Sequence, residues 1–459
     1  MDYLNLNLDP NGSRPMYEQL YRVLSGGIRS GAIGSGEKLP SKRALCAQLG
    51  VSRSTVEAAY DLLLAEGYTV SRPRSGYFAA DLLAQAEPSE LPRQAEPPRA
   101  EPADSPLFST SAVDVSQFPY ASWAKLYREV VYHSPELLQR GEAQGEPELR
   151  SALSRLLSEY RSVRCSPEQI VVGSGLETLL SQLITLLGPE AVYALEDPGY
   201  PYLERALTAR NRAIRYIPLD GDGMDAAALE GSGANVAYLT PSHQFPMGVT
   251  MPASRRSRML RWASEHGGWI IEDDYDSEFR YDGRPLSSMQ GMDRGGRVIY
   301  TGTFSRSLAP SIRLAYMVLP PAMLDRFHAL FGRQQTTVSR YEQTVMARFV
   351  DEGFYSRYLR RVGMLYRARR EALLDALQTI EGVTISGAGG GTHFLLTDPW
   401  WSEAELIEKA AARGLRLAGL SSLCRTVPAR ESTLILGYGG LPTARVPEVA
   451  ELLRKAWEK

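Results

Sequence analysis

Several short segments in the middle of the chain carry side chains that could together hold a flat, charged small molecule. Gly173-Ser174-Gly175 lies between an apolar run and an amphipathic helical stretch. Free backbone N–H groups and the helix dipole favour an anion such as phosphate there. Tyr200, in the segment EDPGYP, offers a ring that can stack on a flat heterocycle. A tight turn without a ligand and a core tyrosine are the alternative interpretations.

Two further segments follow apolar runs that predict buried strands. In the polar loop TPSHQFPMG, His243 is either a ligand contact or a brace for the loop. Asp273 and Tyr275 follow the apolar run WII. An Asp at this place can pair with a protonated ring nitrogen, and a nearby Tyr can hydrogen-bond a phenolic oxygen. Helix capping is the alternative role for Asp273.

The segment YTGTFSRSLAPSIR supplies hydroxyl groups and fixed positive charge. Ser305 and Arg313 suit a phosphate, because a guanidinium forms charge-assisted, bidentate hydrogen bonds with it. Each signal is weak alone. Taken together, the segments predict one ligand site with these candidate residues: Gly175, Tyr200, Asp273, Tyr275, Ser305 and Arg313.

The hydrophobic pattern predicts the elements that position these residues. Through residues 106–330, apolar runs such as VYALED, VAYLTP and WIIEDD alternate with amphipathic helical stretches, which predicts a mostly parallel sheet covered by helices. Residues 331–459 contain long helical stretches, a few short strands and a closing helix. They predict a smaller α+β domain.

Residues 1–80 have a different, helical pattern. The spacing of Leu20, Leu24 and Ile28 predicts a first helix. Ser41 is placed to cap a second helix that Gly50 terminates, and Ser52 starts a third. The third helix is predicted to face inward with Val56, Ala59, Tyr60, Leu63 and Leu64.

Two helices joined by a tight turn form a helix-turn-helix, whose second helix lies in the DNA major groove. Its first residues, at base edges and phosphates, are Ser52, Arg53, Ser54 and Thr55. A hairpin follows with strands at 68–71 and 77–78, and its turn residues Arg72 and Arg74 could enter the minor groove. A protein-interaction module with solvated Ser and Arg is the alternative that periodicity leaves open.

Charge and proline content divide the chain. The net charge of −2 over 459 residues excludes binding to nucleic acid through bulk charge. Residues 1–80 carry nine Lys and Arg against seven Asp and Glu, whereas residues 81–105 carry six acids, two Arg and five Pro. The second segment is predicted to be a flexible linker.

The remaining composition favours a soluble, cytoplasmic, metal-free protein. The three cysteines and five histidines are scattered, so neither a disulfide framework nor a metal site is expected. The N-terminus lacks a basic start, and an apolar run of about 18 residues occurs nowhere in the chain.

The segment LPSKRALCAQLGVSRSTVEAAYDLLLAEGYTVSRPRSGYF resembles the GntR-type winged helix over nearly its whole length. The resemblance implies a DNA-binding domain. Its contacts with double-stranded operator DNA would come from the two helix starts and the glycine-tipped wing, with these residues: Ser41, Arg43, Ser52, Arg53, Thr55, Arg72, Arg74 and Gly76.

From about Trp123 to the C-terminus, the chain resembles the fold-type I aminotransferase domain of the MocR subfamily of GntR regulators. EDPGYP, TPSHQFPMG, IIEDDYDSEFRYDG and YTGTFSRSLAPSIRLAYMVLP carry the likeness. It implies a pyridoxal 5'-phosphate pocket. Asp273 would face the pyridine nitrogen, Tyr275 the ring oxygen and Tyr200 the ring face, with Ser305 and Arg313 on the phosphate.

Three positions depart from the family pattern. Arg306 stands where the family has the lysine that forms a Schiff base, and a protonated guanidinium is no nucleophile. Glu177 follows the glycine loop, where a carboxylate is unfavourable beside a phosphate unless Arg306 or Arg313 intervenes. The arginine that some relatives use to clamp an amino-acid carboxylate has no counterpart in the segment LILGY.

These observations favour a homodimeric transcriptional regulator whose large domain senses a small-molecule effector without transaminase turnover. The family resemblance implies a domain-swapped dimer. An aminotransferase enzyme is the alternative from another class. A third interpretation keeps DNA binding and gives the pocket to another ligand, so that pyridoxal phosphate is either bound noncovalently or absent.

Overall fold

The computed structural model of the chain describes residues 8–10, 12–82, 108–281, 287–427 and 432–458. Two compact units divide the chain, Met1–Ala103 and Asp104–Lys459. The linker predicted over residues 81–105 lies, after Leu82, outside the described residues.

The first unit contains three helices and a hairpin. They are α1 (Met16–Arg29), α2 (Lys42–Leu49), α3 (Arg53–Ala65), β1 (Thr69–Arg72) and β2 (Gly76–Ala79). Both predicted helix caps are confirmed, because the Ser41 hydroxyl accepts from the Ala44 N–H and the Ser52 hydroxyl from the Thr55 N–H. Gly50 ends α2 in the left-handed region with φ 65°, as its position predicted.

One prediction about the core of this unit is wrong. Val56, Ala59, Tyr60 and Leu63 are buried, but Leu64 is 40% exposed. Successive residues of a helix are rotated by about 100°, so Leu64 falls outside the buried stripe that ends at Leu63.

The second unit is built on an eight-stranded sheet. Its strands are β3 (Ile170–Gly173), β4 (Val192–Asp197), β5 (Ala213–Asp220), β6 (Gly223–Met224), β7 (Val236–Leu239), β8 (Trp269–Asp274), β9 (Val298–Thr303) and β10 (Ala315–Val318). They lie in the order β3-β10-β9-β8-β7-β4-β5-β6.

The predicted mostly parallel arrangement holds for the centre of the sheet, where β9, β8, β7, β4 and β5 are parallel. Two strands run the other way: β10 pairs antiparallel with β3 and β9, and β6 pairs antiparallel with β5. The chain returns from β9 to β10 through a short connection, which suffices for an antiparallel pair, whereas a parallel pair needs a longer crossover.

Helices cover both faces of this sheet. Alternate strand residues point to opposite faces, and both sets are apolar here, so both faces need to be buried. In β7, Val236 and Tyr238 pack into one hydrophobic cluster and Ala237 and Leu239 into another. The surrounding helices are α4 (Tyr120–His133), α5 (Pro147–Arg161), α6 (Leu176–Leu187), α7 (Pro201–Thr208), α8 (Ala226–Gly231), α9 (Ala253–Glu265), α10 (Met289–Met292) and α11 (Pro321–Phe331).

The last part of the chain has the predicted mixture of helices and short strands. It contains α12 (Arg340–Asp351), α13 (Phe354–Leu377), β11 (Thr384–Ser386), β12 (His393–Thr397), α14 (Glu403–Ala411), β13 (Ala418–Gly419), β14 (Thr433–Gly437) and α15 (Val446–Trp457). The four strands form an antiparallel sheet in the order β11-β12-β14-β13. One hydrophobic cluster joins residues of both sheets, including Val172, Tyr300 and Phe394.

Candidate functional site

A cavity of about 180 Å³ lies at the carboxyl ends of the central strands, the edge at which open α/β sheets bind ligands. Asp273 reaches it from the end of β8 and Thr303 from the end of β9. All of the predicted ligand residues except Gly175 line it, and Gly175 is next to the lining residue Leu176. The described lining residues are Ser111, Leu176, Glu177, Tyr200, Thr240, Phe245, Asp273, Tyr275, Thr303, Ser305, Arg306, Pro310 and Arg313.

Asp273 is 3% exposed and has one oxygen still available. The hydroxyl of Tyr238, on the neighbouring strand β7, donates to Oδ2. Oδ1 has no hydrogen-bond partner among the residues that the structure describes. Burial raises the pKa of Asp273 to about 7, although the Tyr238 hydrogen bond acts in the opposite direction. The carboxyl group can therefore exchange a proton with a ligand near neutral pH.

The next residue, Asp274, has a structural role instead. Its Oδ2 lies 2.6 Å from Nε of Arg161 and accepts a 2.5 Å hydrogen bond from the Tyr300 hydroxyl. Burial alone would raise the pKa of Asp274, but Arg161 and these hydrogen bonds hold it below its ordinary value. This buried ion pair fixes the end of β8, and so the position of Asp273.

Arg306 also contributes its guanidinium to the cavity wall. The guanidinium carbon lies 5.9 Å from the centre of the Tyr275 ring. Nη1 of Arg306 is buried without a hydrogen-bond partner within the described ranges. A buried guanidinium N–H that lacks an acceptor is costly, and a ligand oxygen can satisfy it.

Aromatic rings form the apolar part of the cavity. The Tyr200 and Phe245 rings meet edge to face with centroids 5.7 Å apart, and Phe245 meets Tyr275 in the same way at 6.2 Å. Tyr200 is half-buried at the start of α7. Burial raises the pKa of the Tyr200 and Tyr275 hydroxyls, so both stay protonated at neutral pH. The wall thus suits a flat, partly apolar ligand.

The backbone N–H groups of Ser174 and Gly175, in the glycine loop at the start of α6, already have acceptors within the protein. The Ser174 N–H donates to Oγ1 of Thr337, and the Gly175 N–H donates to the Gly173 carbonyl. Oε2 of Glu177 lies 2.5 Å from Nη2 of Arg313. Gly175 has φ 98°, and a Cβ placed there would collide with Arg313 and Glu177, so the two side chains pack against the loop.

Ser305 makes local hydrogen bonds at the end of β9. Its N–H donates to Oγ1 of Thr303, which lies 3.0 Å from its own Oγ. The structure brings Asp273, Tyr275 and Arg306 into the wall of one cavity, with the Arg306 guanidinium beside the Tyr275 ring. Arg313 also lines this cavity and is paired with Glu177.

Sequence reasoning missed Thr240, which lines the cavity, and Tyr238 and Glu196, which hydrogen-bond the lining residues Asp273 and Thr240. The Thr240 hydroxyl donates to Oε2 of Glu196 at 2.6 Å. Burial raises the pKa of Glu196 to about 7, against the effect of this hydrogen bond. Tyr238 and Thr240 belong to the apolar pattern VAYLT, which predicts a buried strand but not the carboxyl groups that contact it.

His243 is a brace rather than a cavity residue. Its Nδ1 lies 2.9 Å from Oδ2 of Asp276 and 3.1 Å from the Tyr275 hydroxyl. His393 lies beside it, with ring centroids 4.8 Å apart. These two histidines and Asp276 place potential metal-ligand atoms within 4.8 Å of one another, a cluster that the scattered histidines did not predict. Hydrogen bonds to Asp276, Gly387 and Pro246 already engage ring nitrogens of both histidines.

In the first unit, the predicted DNA contacts lie at two helix starts and a hairpin turn. Arg43 and Arg53 are exposed in the first turns of α2 and α3, and Nε of Arg53 lies 2.9 Å from Oε1 of Glu57. The Arg72 guanidinium stacks on the Phe78 ring at 4.5 Å, and Gly76 turns the hairpin with φ 112°. Arg74 has φ 61° in the same turn.

Two lysines that sequence reasoning missed accompany this hairpin. Nζ of Lys38 lies 5.9 Å from the centre of the Phe78 ring, and Nζ of Lys42 lies 5.3 Å from that of Tyr77. Both flank the segment LPS, so their sequence position was a usable signal. The contacts gather basic side chains around the hairpin, although residues 1–80 as a whole carry only nine Lys and Arg against seven Asp and Glu.

Comparisons with known proteins agree with this architecture. Residues 16–78 match the family model of bacterial regulatory proteins of the gntR family, and residues 108–418 match that of aminotransferase class I and II. The chain is 39% identical to the uncharacterized HTH-type transcriptional regulator YdeL of Bacillus subtilis, over 99% of both chains. It is 32% identical to the probable rhizopine catabolism regulatory protein MocR of Rhizobium meliloti, over 98% of this chain and 96% of the relative. The chain belongs to the MocR-type transcriptional regulators of the GntR family.

A solved structure shows the same fold for the second unit. The kynurenine aminotransferase of Pyrococcus horikoshii is 27% identical, with a TM-score of 0.68, over 75% of this chain and 89% of that chain. The resemblance to GntR and MocR proteins and the predicted fold are thereby confirmed. No helix among the described residues combines the length and apolar content needed to cross a membrane.

The aminotransferase fold implies pyridoxal 5'-phosphate, and the residues of this chain fit only its ring. Tyr200 can cover a pyridine ring, and Oδ1 of Asp273 can meet the ring nitrogen. At the phosphate end, Glu177 places a carboxylate on Arg313 and the N–H groups of the loop are engaged. At the aldehyde end, the cavity wall carries Arg306, and the described lining residues include no lysine. The site does not fit the phosphorylated, covalently bound cofactor.

Proposed function

We propose that this protein is a cytoplasmic transcriptional regulator that binds a specific operator as a homodimer. Its aminotransferase-like domain binds a small-molecule effector and carries out no transamination. The proposal rests mainly on one observation: Arg306 lines the cavity at the position where an aminotransferase needs a lysine. The same chain matches the gntR family over residues 16–78.

The absence of turnover follows from the chemistry of the cavity wall. Transamination needs a neutral amine that bonds to the cofactor and then moves a proton at the substrate α-carbon. A guanidinium remains protonated and its lone pair is delocalised, so Arg306 can perform neither step. It can still bind an anion through two parallel hydrogen bonds.

DNA binding is assigned to the helix starts and the hairpin turn. Arg43 and Arg53 are exposed and stand beside N-caps, where backbone N–H groups also favour phosphate oxygens. Ser41, Ser52 and Thr55 would add hydroxyl contacts. The hairpin residues Arg72, Arg74 and Gly76 would form the wing that approaches the minor groove.

Dimerisation is assigned to the second unit. The side chains of Tyr132 and Leu138 are 76% and 78% exposed in the single chain, a high exposure for large apolar groups. A second copy of the chain that covers them would bury this surface. Two-fold symmetry in the protein would then match repeated half-sites in the operator. An effector that distinguishes two arrangements of the dimer would shift DNA binding.

One experiment tests the regulator proposal directly. Duplexes that bind the full-length protein are selected from a random-sequence library, and their affinity is measured by fluorescence anisotropy at physiological salt. The proposal predicts an enriched, repeated motif that binds at least about a hundredfold more tightly than a scrambled duplex. Equal affinity for both duplexes, together with transamination of an amino acid by the same preparation, would favour the enzyme.

A further inference from the structure

The cavity of the second unit contains a carboxyl group and a guanidinium group whose hydrogen-bonding atoms the described residues do not all engage. Asp273 is buried, and its Oδ1 has no hydrogen-bond partner among the described residues. Arg306 likewise has a buried Nη1 without a partner in the same part of the chain. Both residues line one cavity of about 180 Å³. Two unsatisfied groups of opposite type in one small cavity indicate a ligand with a group that can share a proton with Asp273 and an anionic acceptor for Arg306.

The aromatic residues that line the same cavity define the shape of the ligand. Tyr200, Phe245 and Tyr275 present aromatic rings, and the Arg306 guanidinium lies 5.9 Å from the centre of the Tyr275 ring. A planar guanidinium matches a carboxylate, with which it makes two parallel hydrogen bonds. A flat ring can therefore lie against the aromatic wall while its polar groups meet Asp273 and Arg306.

At the phosphate end of the cavity, the Glu177 carboxylate already occupies the place of an anion and disfavours the binding of another. Glu177 lies 2.5 Å from Arg313, so the guanidinium that could receive a phosphate already has a carboxylate partner. The Ser174 N–H is directed to Thr337. A phosphate placed there would face the Glu177 carboxylate, and like charges at short distance disfavour the fully ionised pair.

We propose that this pocket binds a nitrogen-heteroaromatic carboxylate without a phosphate group, noncovalently. The ring nitrogen binds Asp273 through one shared proton, carried by the ring or by the carboxyl group, and the carboxylate accepts from Arg306. The inference rests on the proposed effector-sensing function and deepens it by naming the chemical class of the effector. It also explains why the chain has residues that can bind the cofactor's ring. The same chain has Glu177 at the phosphate end and no lysine at the aldehyde end among the described lining residues.

The test uses small probes that differ by one group. Pyridine-4-carboxylate carries both required groups, pyridine-4-carboxamide has the same shape without the charge, and benzoate lacks the ring nitrogen. Calorimetric titration of the full-length protein is expected to give pyridine-4-carboxylate an affinity about tenfold higher than that of either other probe. Equal affinity for the acid and the amide, or no binding of the acid at millimolar concentration, would overturn the inference.

Two variants assign the preference to its residues. Arg306→Met keeps most of the length of the side chain and removes its charge, so the preference for the acid over the amide should disappear. Asp273→Asn should remove the preference over benzoate, with circular dichroism as the check on folding. A preference for the acid that persists in Arg306→Met would overturn the assignment. Tighter binding of pyridoxal phosphate than of pyridine-4-carboxylate to the unmodified protein would do the same.

DNA binding is measured on the same protein samples with the selected operator. Specific DNA binding without any binding of the acid would contradict the ligand class and leave the regulator proposal standing. Binding of the acid without specific DNA binding would contradict the regulator proposal instead.

Discussion

Oε2 of Glu177 and Nη2 of Arg313 lie 2.5 Å apart beside the first turn of α6. The positive end of that helix attracts an anion, and here the protein's own carboxylate occupies this position. Both side chains are partly exposed, at 34% for Glu177 and 50% for Arg313, so the pair can be altered without disturbing the core. This relationship separates the pocket from a phosphate-binding one although Ser305 and Arg313 are both present.

Removing the carboxylate should therefore restore affinity for phosphate. In Glu177→Gln, Arg313 loses its anionic partner and the repulsion of an incoming phosphate disappears. Inorganic phosphate and pyridoxal phosphate should each bind about tenfold more tightly at neutral pH, as measured by calorimetric titration. Glu190→Gln, at an exposed position outside the cavity, is the matched control. Unchanged phosphate affinity in Glu177→Gln would show that the ion pair does not close the site.

The first turns of α2 and α3 in the first unit lead to a separate prediction about DNA binding. Arg43→Ala and Arg53→Ala should each weaken binding to the selected operator about tenfold, because each removes a cation from the predicted phosphate or base contacts. Fluorescence anisotropy at several salt concentrations should also show a shallower salt dependence. Arg29→Ala, at the exposed end of α1, controls for the loss of one charge from the same unit. Equal losses in all three variants would contradict a specific role for the two helix starts.

Much of the structure of the first unit could be predicted, because its helix caps depend on residues that are close together in the sequence. Ser41, Gly50 and Ser52 act within one turn of the chain, and their caps follow from residue type alone. Lys38 and Lys42 flank the segment LPS, but their contacts with Phe78 and Tyr77 join residues far apart in sequence, which local spacing does not predict.

The candidate site was predictable as a set of residues but not as a network of contacts. The carboxyl ends of β8 and β9 lie at one edge of the sheet, so Asp273 and the segment after Thr303 were expected to meet. The sequence left open whether Arg306 or Arg313 would face Glu177, and the structure pairs Glu177 with Arg313, whose backbone is left-handed with φ 51°. The roles of Tyr238 and Glu196 depend on strand neighbours, which periodicity does not specify.

Buried carboxyl groups make the stability of the second unit depend on pH. Burial raises the pKa of Glu278 from 4.5 to about 8. Between these values the folded chain holds a proton that the unfolded chain has released, so the free energy of unfolding falls as pH rises through this window. Glu278→Gln should flatten that decline and stabilise the protein at pH 8 by on the order of 1–3 kcal/mol.

Urea unfolding at about pH 5.5 and pH 8 measures this effect. The Tyr355 hydroxyl lies 3.3 Å from Oε1 of Glu278, and the amide oxygen introduced by Glu278→Gln keeps an acceptor for it. Glu265→Gln, at an exposed position on α9, should leave the pH dependence unchanged. A decline of the same steepness in Glu278→Gln and in the unmodified protein would assign it to other groups, such as Glu272, whose pKa burial raises to about 7.

The exposed apolar side chains of the second unit predict the dimer contact. Leu138→Asp should shift sedimentation equilibrium towards the monomer by about tenfold or more in dissociation constant, because it places a charge where a second copy would bury an apolar group. Leu64→Asp changes a 40% exposed leucine in the first unit and should leave the dimer intact. A monomer–dimer equilibrium that Leu138→Asp does not alter would place the interface elsewhere.

The visible absorption spectrum during titration with pyridoxal phosphate tests most directly whether Arg306 and Glu177 have converted an aminotransferase pocket into a noncovalent one. The unmodified protein should show no Schiff-base band, whereas Arg306→Lys combined with Glu177→Gln should gain one, because the variant supplies an amine and an open phosphate site. A stoichiometric band in the unmodified protein, or none in the double variant, would contradict this conclusion.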